Sequence, residues 1–100
     1  MGKRLEPKAR RDEILDAAVK LAAVVGWREL TRDGVAEAAG VSGALVNVYF
    51  GTVETLKQKV MKEAVKLRIL SIVAQGLADH DIIATTAPAR LKSDALKTLA

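Results

Sequence analysis

The sequence has no cysteine, and only one histidine, one tryptophan, one tyrosine and one phenylalanine. Without cysteine there is no disulfide stapling, no thiolate zinc site and no cysteine nucleophile. Two prolines and seven glycines in 100 residues exclude a collagen-like or low-complexity chain. The longest apolar runs, such as Leu21-Ala22-Ala23-Val24-Val25, fall far short of a membrane span. Met1 to Pro7 is charged and has no apolar centre of the kind found in a secretory signal. Half of the residues are apolar and 28% are charged, the composition of one small intracellular globular domain, with no room for a second core.

Catalytic sets are missing as well. Ser42, Ser71 and Ser93 have no recognisable base partner, and neither a G-x-x-x-x-G-K-[ST] loop nor a G-x-G-x-x-G turn is present, so an enzyme is not expected. Asp79-His80-Asp81 offers one imidazole and two adjacent carboxylates, not the four spaced ligands of a structural zinc site. No metal and no cofactor is expected.

The charge that is present is uneven. Residues 1–11 carry Lys3, Arg4, Lys8, Arg10 and Arg11 against Glu6; residues 12–51 are net acidic; residues 52–68 are net basic, with Lys57, Lys59, Lys62, Lys66 and Arg68. The two basic stretches form either a footprint for a polyanion or a solubilising arm and an ordinary solvated helix face.

Helical periodicity runs through the chain. Apolar residues at Ile14, Leu15, Ala18, Leu21, Ala22 and Val25 predict an amphipathic helix over 10–25, with Asp12 and Glu13 in its first turn and Gly26 as its stop. Thr31 is an N-cap for a short second helix, Gly40 ends it, Ser42 caps a third over about 42–49, and Thr52 caps a fourth after Gly51. The fourth reads as one long helix. From Leu67 to Leu77 it is apolar nearly all round, which calls for burial on more than one side and points to a partner subunit. A polar turn follows at residues 79–81, and Ala87-Pro88 opens a last helix with Leu91, Ala95, Leu96 and Leu99 on one stripe. The expected class is all-α: a helix-turn-helix unit with the basic arm over 1–51, then a long helix and a short C-terminal helix over 52–100.

The chemistry concentrates in TRDGVAEAAGVSGALVNVYF, Thr31 to Phe50. Ala36 and Ala39 let two helices cross closely, Gly40 supplies a left-handed turn, and Val41 plugs the gap between them. This is the grammar of a helix-turn-helix, whose second helix enters the DNA major groove.

Ile14-Leu15-Asp16-Ala17-Ala18, Gly26, Thr31, Val35-Ala36, Ala38-Ala39-Gly40-Val41-Ser42, Tyr49-Phe50-Gly51 and Glu54-Thr55-Leu56 together resemble the DNA-binding region of TetR-type transcriptional regulators, without a gap from about residue 11 to residue 60. The resemblance implies a cytoplasmic, nucleoid-associated homodimer on a near-palindromic operator, Ser42–Tyr49 as recognition helix, and Thr31 at a phosphate. On that reading Ser42, Thr31 and Arg32 lie at the DNA backbone and Gly43, Ala44, Leu45, Asn47 and Val48 face bases. Tyr49, Lys57, Lys3, Arg4, Lys8 and Arg10 hold phosphates. Ile69, Leu70, Val73, Leu77, Leu91, Ala95 and Leu99 form the dimer interface.

Departures from the family pattern sharpen the expectation. Val46-Asn47 stands where the family usually has Leu-Tyr, and Val53 where it often has Lys. Gly43 to Tyr49 contains no basic residue, which removes guanine readout by Arg or Lys from this helix and leaves Asn47 for adenine and apolar side chains for thymine methyls. The residues after Gly76 are too few to enclose an inducer cavity, so a shortened C-terminal part without a small-molecule ligand is expected. The competing class is a helical protein-interaction module that binds another regulator through Leu45 and Val48; a third is an architectural DNA binder without sequence preference.

Overall fold

The computed structural model describes residues 6–99. Helix α1 is Pro7–Val25, opened by Pro at its first position, three residues earlier than the apolar period suggests. Asp12 and Glu13 therefore lie beyond the first turn. The buried stripe is Ile14, Ala18, Val19 and Ala22, while Val25 is exposed. A 3-10 turn, Trp27–Glu29, leads to α2, Arg32–Ala39, whose cap is Thr31: its hydroxyl accepts from the Gly34 N–H at 3.0 Å. Gly40 then takes a left-handed conformation (φ 71°), which lets the Val41 N–H return to the Ala36 carbonyl at 3.0 Å and turns the chain into α3, Gly43–Phe50.

Helix α4, Val53–Leu67, starts at the Thr52 cap, and its lysines lie apart from buried Leu56, Val60, Met61 and Ala64. The expected single long helix does not form. Arg68 adopts a left-handed conformation (φ 57°), the Ile69 N–H closes on the Ala64 carbonyl at 2.8 Å, and a separate α5 runs over Leu70–Ala78. The cause is burial. A straight continuation would leave an all-round apolar surface in water; the reversal packs Ile72, Val73, Ala74 and Gly76 against α4, α6, α7 and the 3-10 turn. An Arg68–Asp94 ion pair at 2.8 Å ties the reversal to α7.

Asp79-His80 forms the polar turn, and Asp81 caps an unanticipated one-turn helix α6, Ile82–Thr85, by accepting from the Ile83 and Ala84 N–H groups. Helix α7, Ala89–Lys97, follows Pro88. No strand occurs among the described residues, so the class is all-α.

The rearrangement corrects the expected dimer interface. Val73, Leu91 and Ala95 are completely or almost completely buried in the chain's own core, where they offer nothing to a partner. Ile69, Leu70 and Leu77 are half-buried against that core, and Leu99 alone of the expected set is exposed.

Candidate nucleic-acid interface

The eight residues of α3 divide cleanly by face. Val46 and Phe50, four apart, point into the core; Leu45 and Tyr49 are half-buried beside them; Ala44, Asn47 and Val48 face outward. Leu45 was expected among the base-facing residues, but it packs against the core. Val48, 75% exposed, is the large apolar side chain that this face presents to solvent.

Two helix N-termini serve the same edge. Ser42 Oγ accepts from the Leu45 N–H at 3.1 Å, as Thr31 does for α2, so each helix keeps its hydroxyl at the terminus where the dipole favours anions. The start of α3 lies under the start of α2: a β-carbon on Gly43 would stand 2.8 Å from Arg32 Nε and 3.0 Å from Asp33 Oδ1. Arg32 itself is paired with Asp33 at 3.0 Å, whose carboxylate offsets its positive charge.

The other expected cations are placed less simply. Lys57 does not point free into solvent. Its ammonium sits 4.7 Å from the Trp27 ring centroid and donates to the Arg28 carbonyl at 3.4 Å, so its expected role on the DNA backbone is not the one its contacts serve. Lys8 is highly exposed and paired with Asp12 at 3.0 Å. Arg10 is half-buried, and its Nε finds no hydrogen-bond partner among the described residues. Lys3 and Arg4 lie outside the described residues.

Two groups escaped the sequence reading. Arg11 stacks its guanidinium 5.0 Å from the Phe50 ring centroid, which brings a cation from α1 to the end of α3. Its position three and four residues before Ile14 and Leu15, at the edge of the buried stripe, was the available signal. The second group surrounds the 3-10 turn. Gln75 Oε1 accepts from the Trp27 N–H at 2.6 Å, and Asp79 takes the Arg28 guanidinium on both oxygens. Gln75 interrupts the apolar stretch from Ile72 to Ala78, four residues before Asp79, and that spacing was its signal. The hydrogen bonds from Arg28 hold the Asp79 carboxyl below the usual carboxylate range, against a smaller opposing effect of burial.

No group of three or more metal-ligating side chains occurs among the described residues, and no described helix is long and apolar enough to cross a membrane. Residues 14–59 match the family described as bacterial regulatory proteins, tetR family. No curated protein and no solved structure matches the chain. The match runs from the buried face of α1 through both helices of the turn and into α4, so residues 14–59, with the capped α3 among them, form a helix-turn-helix unit of the tetR-family type.

Proposed function

We propose that the chain represses transcription by binding a near-palindromic duplex operator as a homodimer, in the cytoplasm at the nucleoid, without a small-molecule inducer. The observation that carries this reading is the outward face of α3. Ala44, Asn47 and Val48 are exposed on a helix whose N-terminus is capped by Ser42 and lies beside that of α2. Asn47 can pair bidentately with adenine, and Ala44 and Val48 suit thymine methyls, so the half-site core is A·T-rich. Thr31, Ser42, Tyr49 and the cations of α1, Lys8, Arg10 and Arg11, are assigned to contacts with the DNA backbone.

Dimerisation is assigned to the second half of the chain. With Val73, Leu91 and Ala95 committed to the core, the exposed large apolar groups left in that half for a twin are Leu67, Ile82, Leu96 and Leu99, with Ile69, Leu70 and Leu77 half-buried.

Selection of bound duplexes from a random pool tests the reading. It expects enrichment of a two-fold symmetric, A·T-leaning site, with affinity falling on a log–log salt plot by roughly 0.9 per phosphate neutralised. Binding that is lost with salt but indifferent to sequence marks an architectural protein. Absence of any binding, with Val48 at 75% exposure on a helix lacking cations, favours the protein-interaction module.

A further inference from the structure

The turn between α1 and α2 is gripped from outside the helix-turn-helix. Gln75 Oε1 accepts from two successive backbone N–H groups, Trp27 at 2.6 Å and Arg28 at 3.4 Å. Four residues on, at the C-cap of α5, Asp79 receives Arg28 Nε at 3.0 Å and a second guanidinium nitrogen on its other oxygen. From α4, the Lys57 carbonyl accepts from Trp27 Nε1 at 3.0 Å. The grip therefore holds the turn by its backbone and by both side chains at once.

What it holds leads directly to the DNA-facing helices. Only buried Leu30 and the cap Thr31 separate the turn from α2, and only Gly40, Val41 and Ser42 separate α2 from α3. A change in the angle at Trp27-Arg28 is thus passed to α3 with little slack between. A fully apolar α5 would bury better, and Gln75 interrupts it where the turn presents two N–H groups.

We infer that Gln75 and Asp79 are positioning residues for DNA recognition: by holding the Trp27-Arg28 turn they set the angle at which α2 and α3 leave α1. This rests on the DNA-binding reading above. The residues touch no base; they act through the turn. Charge-assisted, two-pronged bonds of the Arg28–Asp79 kind are the directional ones, which suits an angular constraint more than a purely cohesive contact.

The test uses the full chain, the duplex enriched from the random pool and a scrambled duplex of the same length. Gln75→Leu removes the acceptor, Gln75→Glu keeps it, Asp79→Ala cuts the ion pair, and Arg28→Asp with Asp79→Arg restores it reversed. Affinities are measured at a temperature where circular dichroism shows every variant folded, with emission of the single tryptophan, Trp27, as a monitor of the turn. The expected result is a fall in the enriched-to-scrambled affinity ratio of roughly ten- to a hundred-fold for Gln75→Leu and Asp79→Ala, the loss typical of misread base pairs. Trp27 emission shifts in the same variants. Gln75→Glu and the reversed pair stay within about threefold of the parent. A lowered melting temperature with an unchanged ratio overturns the inference, because the residues are then merely cohesive. Should Gln75→Leu not fold, Asp79→Ala, at a more exposed site, decides the matter alone. If the parent chain enriches no duplex, the DNA-binding reading itself falls and this inference with it; if the parent binds selectively and the variants do likewise, only the inference falls.

Discussion

Gly76 of α5 lies so close to Ala84 of α6 that a β-carbon on the glycine would stand 2.7 Å from the Ala84 methyl, and 2.5 Å from Met61 Cε on α4. Three helices meet at that point without room for one more carbon. Gly76→Ala gains about 1 kcal/mol in helix propensity, but it forces apart a fully buried contact, which typically costs about 1–3 kcal/mol. The steric cost wins, because Ala84 is rigid and Met61 is sealed in the core. Urea unfolding followed by Trp27 emission is expected to show net destabilisation; a stabilised variant contradicts the packing described.

Asp79 provides a pH prediction. Its carboxyl is lowered chiefly by the hydrogen bonds from Arg28, with smaller help from the charges of Arg28, Lys57 and His80. A group whose folded value is lowered contributes stability above its ordinary value of about 3.9 and loses that contribution as pH falls through the folded value. Carbon-13 titration of the Asp79 carboxyl is expected to give a midpoint below about 3.9, returning toward it in Arg28→Gln. A midpoint at or above the ordinary value in the parent chain refutes the pairing.

Asn47 is exposed and makes no side-chain hydrogen bond among the described residues, so Asn47→Ala is expected to leave stability within about 0.5 kcal/mol. Discrimination for adenine at one position of each half-site falls by about 1–3 kcal/mol. Competition binding with single-base variants of the selected site measures both the size and the position of the loss. An unchanged base profile removes Asn47 from the reading surface.

The cap of α3 separates a folding role from a binding role. Ser42→Ala removes the side-chain acceptor of the Leu45 N–H, leaving the Ser42 carbonyl at 3.2 Å, and costs about 1 kcal/mol. Ser42→Asp keeps the cap and the stability, yet places a negative charge where a phosphate is expected. Its thermal midpoint stays near that of the parent while its affinity for duplex DNA drops. Retained affinity in Ser42→Asp means that this terminus does not face the backbone.

The parts of this fold that were legible in the sequence are those settled within a few residues. A hydroxyl at Thr31, Ser42 or Thr52 meets an N–H three positions later, and Gly40 makes its own turn. The break at Arg68 carried no such mark. Neither glycine nor proline stands there, and the left-handed arginine is maintained by burial of α5 and by Asp94, 26 residues away. The apolar stripe of Leu91 and Ala95 likewise announced burial without naming its cover, which proved to be α5 of the same chain and not a twin. Within the candidate site, Asn47 and Val48, expected outward from the family resemblance, are exposed, whereas Lys57 was drawn to Trp27, 30 residues earlier, and Leu45 was turned inward by packing.

The most direct measurement is an amide NMR titration of the full chain with the selected duplex. The account predicts that the largest shifts fall on Thr31–Asp33 and Ser42–Tyr49, with one set of signals for two symmetric subunits. Shifts confined to α5–α7, with α3 unmoved at saturating DNA, contradict it.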